Sequence, residues 1–133
     1  MENTFKLRII TPDEVFYEGD VYMVEFNTIQ GRIGVYAKHI PMTTVIYPGI
    51  LKIHEGGKVT SAALISGFVQ ILKESVTIVA KACERPDQID EERARQAKVR
   101  AQRRLSEKGN IDMARAELAL VRALVRLEAK NKH

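Results

Sequence analysis

The chain has 133 residues, 45% of them hydrophobic and 29% charged, with a net charge of +4. That length suffices for one ordinary domain, or for one small core plus an appendage, and the composition excludes a disordered chain. One cysteine, Cys83, excludes an internal disulfide and a cysteine-built zinc cluster, and no run approaches the ~20 apolar residues of a membrane span. Residues 1–10 alternate polar and apolar, unlike a signal peptide, so a cytosolic protein is expected, free or attached to something larger. The charge is uneven. Residues 1–84 carry 8 Lys+Arg against 9 Asp+Glu, and residues 85–133 carry 13 against 8, so the basicity belongs to the C-terminal part. A basic tail implies an anionic partner: a nucleotide, a nucleic acid or an acidic protein surface.

The first 80 residues read at period two. Phe5, Leu7 and Ile9 alternate with Lys6 and Arg8, and Thr11-Pro12-Asp13 closes this strand. Val15 to Tyr17 is a second short strand. Tyr22, Val24 and Phe26 mark a third, and Gly31 to Gly34 is a tight segment. Thr43 to Tyr47 runs to the turn Pro48-Gly49. Ile50 to His54 and Lys58 to Leu64 flank the hairpin signal Glu55-Gly56-Gly57. Gly67 separates Phe68 to Leu72, and Lys73-Glu74-Ser75 turns the chain into Val76 to Ala80. Short strands punctuated by Gly and Pro, with no room for a crossover helix, predict an antiparallel sandwich or flattened barrel. Cys83 is expected to be a small residue at a strand end.

At Glu84-Arg85-Pro86-Asp87 the β-branched residues give way to Ala, Arg and Glu. Asp87 or Asp90 can cap a helix whose inner face is Ala94, Ala97, Ala101 and Leu105. Residues 106–110 break it. Asp112 can cap a second helix with an apolar line of Ala114, Leu118, Val121 and Val125, widened by Met113, Leu120, Leu124 and Leu127. A short connection predicts antiparallel packing. The alanine face of the first helix removes little area from water. It fits either a pair built to come apart or close alanine-mediated packing.

No nucleophile elbow, phosphate loop or His-Glu zinc motif occurs, so no enzyme active site is signalled. His39, His54 and His133 are far apart and read as surface residues. The one chemical constellation lies in the helical pair. Arg93 and Arg100 share a face of the first helix, and Arg122 and Arg126 share one of the second. Four guanidiniums brought together repel one another until an anion joins them, and their forks suit phosphate oxygens. Glu84 and Asp90 could orient an arginine or accept a hydrogen bond from a base amine.

These residues resemble a known family, the epsilon subunit of bacterial F-type ATP synthase (delta in the mitochondrial naming). In the β part the resemblance rests on Ile10-Thr11-Pro12, Gly31 to Tyr36, His39 to Met42, Pro48 to Leu51 and Ser66 to Val69. In the tail it rests on Ile89 to Ala94 and on the run from Arg115 through Leu127. The resemblance implies an α+β protein: residues 1–85 as a ten-stranded sandwich that binds the gamma subunit and sits on the membrane c-ring, and residues 86–133 as a regulatory helical hairpin. It further implies a non-catalytic central-stalk subunit on the cytoplasmic face of the bacterial membrane, peripheral to it through the complex. The hairpin would fold against the sandwich or extend toward the catalytic alpha and beta subunits, where it blocks ATP hydrolysis.

ATP would be a regulatory ligand of the compact form, through an Ile/Leu-Asp-x-x-Arg-Ala motif that Ile89, Asp90, Arg93 and Ala94 match. The implied nucleotide site is Glu84, Ile89, Asp90, Arg93, Ala94, Arg100, Arg122 and Arg126. Arg32 and His39 would meet the rotor ring. Here the sequence departs from the family, with Arg32 where an acidic residue is common and Ala37-Lys38-His39 where Pro-Gly-His is common. Two alternatives stand beside this reading. A nucleic-acid module is opposed by eight acidic residues and the lack of aromatics in the tail. A purely structural stalk subunit would bind no nucleotide.

Overall fold

A computed structural model describes residues 3–107 and 112–131. Eight strands form the N-terminal part: β1 (Phe5–Ile10), β2 (Val15–Val21), β3 (Met23–Thr28), β4 (Gly31–Tyr36), β5 (Met42–Ile46), β6 (Gly49–Glu55), β7 (Lys58–Ile71) and β8 (Ser75–Glu84). The alternation read in β1 is realised: Phe5, Leu7 and Ile9 are buried, while Lys6 and Arg8 face solvent. Val24, Phe26 and Thr28 of β3 and Val76, Ile78 and Ala80 of β8 turn inward in the same way.

The count of ten strands is corrected to eight among the described residues. The stretches around Gly67 read as two strands, but the chain passes through Ser66 (φ 50°) and Gly67 (φ 132°) without leaving the β8 ladder. A Cβ on Gly67 would lie 2.1 Å from the Val79 carbonyl oxygen, so glycine is what lets the long strand bend there. The first half of β7 pairs with β6 and its second half with β5. Both β5 and β6 also pair with β3, which closes a flattened barrel. The sheet is not wholly antiparallel either. β1 lies parallel to β8, with Leu7 opposite Val76 and Ile9 opposite Ile78. The connection between them is the rest of the sandwich, so the pair needs no crossover helix.

β7 is buried on both faces. Ala62 and Leu64 belong to the barrel core, while Ala63 and Ile65 belong to a second cluster with Ile89, Val125 and Ala129. That explains the unbroken apolar run from Ala62 to Ile65, which a half-exposed strand would not need. Cys83, one residue before the end of β8, lies inside the core and is 6% exposed. Burial pushes its thiol up to about 12.

Pro86 cannot donate to the ladder and ends β8, opening a 3₁₀ turn over Pro86–Gln88. Helix α1 (Glu91–Ser106) follows, then helix α2 (Met113–Asn131). Asp90 caps α1 by accepting from the Arg93 amide at 3.1 Å, and Asp112 caps α2 by accepting from the Arg115 amide at 3.1 Å. Asp87 lies within the 3₁₀ turn instead. Most of the expected break at residues 106–110, residues 108–110, lies outside the described residues. Of the α1 alanines, Ala94 and Ala101 are buried. In α2 the expected line is corrected: Ala114 is exposed, and Ala116, Ala123, Val125 and Ala129 are buried. The reason is that α2 has two partners. Ala123 faces α1, while Val121, Val125 and Ala129 face β7.

Candidate functional site

The end of β8, the 3₁₀ turn and both helices converge on one cavity of about 360 Å³. Its basic side comes from Arg93 and Arg100 of α1 and Arg126 of α2. Its acidic side comes from Glu84, the last residue of β8, and Asp90, the cap of α1. Ile89, Ala94, Ala97 and Ala123 form the apolar floor, and Gln88 completes the rim. The small side chains are what make the space. A leucine at 94, 97 or 123 would fill it.

Two of the three guanidiniums have no carboxylate partner among the described residues, those of Arg93 and Arg100. The third is held. Arg126 donates from Nε to Glu84 Oε1 at 2.8 Å and from Nη2 to Glu84 Oε2 at 3.3 Å. This two-pronged pair ties α2 to the sandwich across 42 residues of sequence. The role of orienting an arginine, read for Glu84 from the sequence, is thus filled. Lys130 adds a second tie, donating from Nζ to the Pro86 carbonyl at 3.0 Å. Three arginines against two carboxylates leave the lining one positive charge in excess. A cavity of this size, with forked cations on one wall and small apolar groups on another, suits a phosphorylated ligand with a flat apolar portion.

Seven of the eight expected nucleotide residues line this cavity: Glu84, Ile89, Asp90, Arg93, Ala94, Arg100 and Arg126. Arg122 does not. It lies one turn before Arg126 on α2, half-buried, and its side chain stays outside the lining. Gln88, Ala97 and Ala123 were not expected. Gln88 carries a signal in hindsight, because its position three residues after Arg85 suits a capping box, and its Oε1 accepts from the Arg85 amide at 2.8 Å.

Arg32 and His39 are not brought together with this site. Arg32 of β4 donates from Nη1 to Asn27 Oδ1 at 3.0 Å and to the Ile50 carbonyl at 2.9 Å. Its Nη2 lies 3.8 Å from Glu25 Oε1, which supplies the acidic partner that the loop itself lacks. The other Glu25 oxygen meets His54 Nε2 at 2.6 Å. His39 lies between β4 and β5, with Nδ1 2.8 Å from the Ile40 carbonyl oxygen. His133 is outside the described residues.

Residues 4–86 match the family model described as ATP synthase, Delta/Epsilon chain, beta-sandwich domain. Residues 87–131 match the one described as ATP synthase, Delta/Epsilon chain, long alpha-helix domain. The chain is 45% identical over 130 residues to the ATP synthase epsilon chain of Shouchella clausii, covering 97% of both. It is 42% identical over 131 residues to that of Halalkalibacterium halodurans, covering 97% of this chain and 98% of the other. Its structure is similar to a chain in the OSCP/F1/c-ring assembly of Euglena gracilis mitochondrial ATP synthase, with a TM-score of 0.82 at 25% identity, over 95% of this chain and 80% of that one. A chain from the central stalk and c-ring of the Tetrahymena thermophila mitochondrial enzyme shares the fold, with a TM-score of 0.61 at 18% identity, over 96% of each.

Proposed function

The chain belongs to the delta/epsilon family of ATP synthase subunits, and from that membership we propose that its helical pair is a latch held closed by ATP. As a family member it is a non-catalytic subunit, and catalysis resides elsewhere in the complex. Its place is the central stalk, on the cytoplasmic face of the bacterial membrane. There the sandwich would contact gamma and the c-ring, the latter through Arg32 and His39. No helix among the described residues is long and apolar enough to cross a membrane, so attachment would run through the other subunits.

The observation that carries the nucleotide reading is the cavity joined by Arg93, Arg100 and Arg126 across α1 and α2. ATP there neutralises cations on two elements at once, and Asp90 or Gln88 can accept from the adenine amine. The site exists only while α2 lies beside α1 and against Glu84. ATP therefore shifts the equilibrium toward the compact arm by its differential affinity for that form. When ATP falls, the arm is freed, its basic faces can meet acidic surface on the alpha and beta subunits, and hydrolysis is blocked.

Calorimetric titration of ATP into the isolated chain, beside Arg93→Ala and Arg126→Ala, tests the reading. Each variant loses a charge-assisted contact of about 1.5–3 kcal/mol, which weakens binding by about tenfold or more. Arg93→Ala isolates the nucleotide contact, because Arg93 has no carboxylate partner to lose. An unmutated chain that gives no heat, or three chains that give equal heat, would sink it.

A second reading, a permanently folded structural tail, is favoured by the Glu84–Arg126 pair and the Lys130 tie, since both join α2 to the rest of the chain through the chain's own groups. Truncation after Asp87 separates the two. Unchanged hydrolysis by the assembled complex would favour the structural tail.

A further inference from the structure

A second and larger cavity, of about 490 Å³, lies between the sandwich and the last turns of α2 and shares no lining residue with the first. We propose that it is a binding site for a small amphipathic monocarboxylate, complete only while α2 rests on the sandwich. The volume lies within the range that encloses small organic ligands.

The lining divides by chemistry. Lys52 of β6 and Ser61 of β7 supply an ammonium and a hydroxyl, neither with a side-chain partner among the described residues. Arg32 stands with them. Its Nη1 donors are spent on Asn27 and the Ile50 carbonyl, which leaves donors on Nε and Nη2 facing only a distant Glu25 oxygen at 3.8 Å. Pro48, Ile50, Val125 and Ala129 form the apolar portion.

The polar end is held in place beforehand. Asn27 accepts from Arg32 and donates from Nδ2 to the Pro48 carbonyl at 3.4 Å. A Cβ on Gly49 would lie 2.1 Å from that same Nδ2, so glycine at 49 leaves Asn27 where it can fix Arg32. A binding site so fixed orders fewer groups when its ligand arrives.

The charge balance selects the ligand. Arg32 is offset by Glu25, whereas Lys52 has no carboxylate partner among the described residues, so the lining holds one uncompensated cation, with the exposed Glu128 also in the wall. A carboxylate neutralises that cation once. A phosphate monoester, at about −1.5 to −2, overfills it and meets Glu128 as well. Val125, Glu128 and Ala129 all belong to α2, so the pocket loses a wall when the arm leaves. A ligand that binds only the compact form stabilises it, and by linkage it strengthens any other ligand of that form by the same factor. This coupling to ATP rests on the nucleotide-latch reading; the pocket itself does not.

The test is a methyl-resolved NMR titration of the full chain with hexanoate, beside acetate as the head alone and 1-hexanol as the tail alone. Hexanoate is expected to give saturable shifts at the Ile50, Val125 and Ala129 methyls. Acetate and hexanol should bind about tenfold more weakly or worse. Lys52→Ala, a surface change on a strand, should weaken hexanoate about tenfold, the loss expected for one charge-assisted contact. Glu128→Gln should tighten it. Absence of saturable shifts at those methyls overturns the proposal, and so does equal affinity in Lys52→Ala with an otherwise unchanged spectrum. Repeating the titration with ATP present reads the coupling. Lys52-dependent binding in a chain that gives no heat with ATP would keep this pocket and discard the nucleotide latch.

Discussion

Breaking the Glu84–Arg126 pair should loosen α2 and leave the barrel intact. The two side chains are 29% and 27% exposed and are joined by two charge-assisted hydrogen bonds. Exposed pairs contribute about 0.2–1 kcal/mol, while removing one partner of a fully buried pair costs about 3–5 kcal/mol. A pair with roughly a quarter of its surface in water belongs between, at about 1–2 kcal/mol. Native-state hydrogen exchange reads this element by element. In Glu84→Gln without nucleotide, amides of α2 from Ala116 to Ala129 should exchange about 5- to 30-fold faster, while those of β1 and β8 keep their rates. The Arg126→Ala variant should match it, and the double variant should add little, which gives a coupling of the same 1–2 kcal/mol. Unchanged α2 protection would refute the pair as a tie. An equal loss in β1 and β8 would refute an arm that opens apart from the sandwich.

Gly67→Ala should destabilise the sandwich by about 2 kcal/mol or more in urea, because the left-handed backbone and the contact with the Val79 carbonyl both resist a Cβ. A loss below about 0.5 kcal/mol would mean that β7 bends without needing glycine there. Cys83 should resist thiol reagents in the folded chain at pH 8 and react on unfolding, since its folded value is raised from 9.0 to about 12. The sign follows from the raised value. Below pH 9 both states hold the proton and stability is unaffected, whereas from pH 9 to 12 the unfolded state releases it first and stability falls. Thiol reaction at pH 8 as fast as in a peptide would refute that burial.

The β elements were legible because half-buried strands must alternate, as Phe5, Leu7 and Ile9 do. Gly67 misled because glycine reads as a break, and its tight approach to Val79 depends on a strand distant in sequence. The parallel pairing of β1 with β8 is equally non-local. In α2, two partners at different angles bury Ala116, Ala123, Val125 and Ala129, so no single line of spacing three and four describes the helix. At the site, the forked cations and their carboxylates were readable from residue type and spacing. Ala97 and Ala123 were not, since an alanine that makes room looks like one that merely packs. The position of Arg122 depends on where along α2 the cavity ends, which spacing alone does not fix.

The double burial of β7 bears on what an opened arm leaves behind. Were α2 to lift away, the bared surface would be Ala63, Ile65, Ala82 and Ile89, with Ile50 at its edge. Two of these five are alanines, which keeps down the apolar area presented to water. The same economy of side chains that weakens the docked arm keeps the undocked barrel from adhering to its neighbours. Larger apolar side chains bared on this face would make the barrel sticky each time the arm let go.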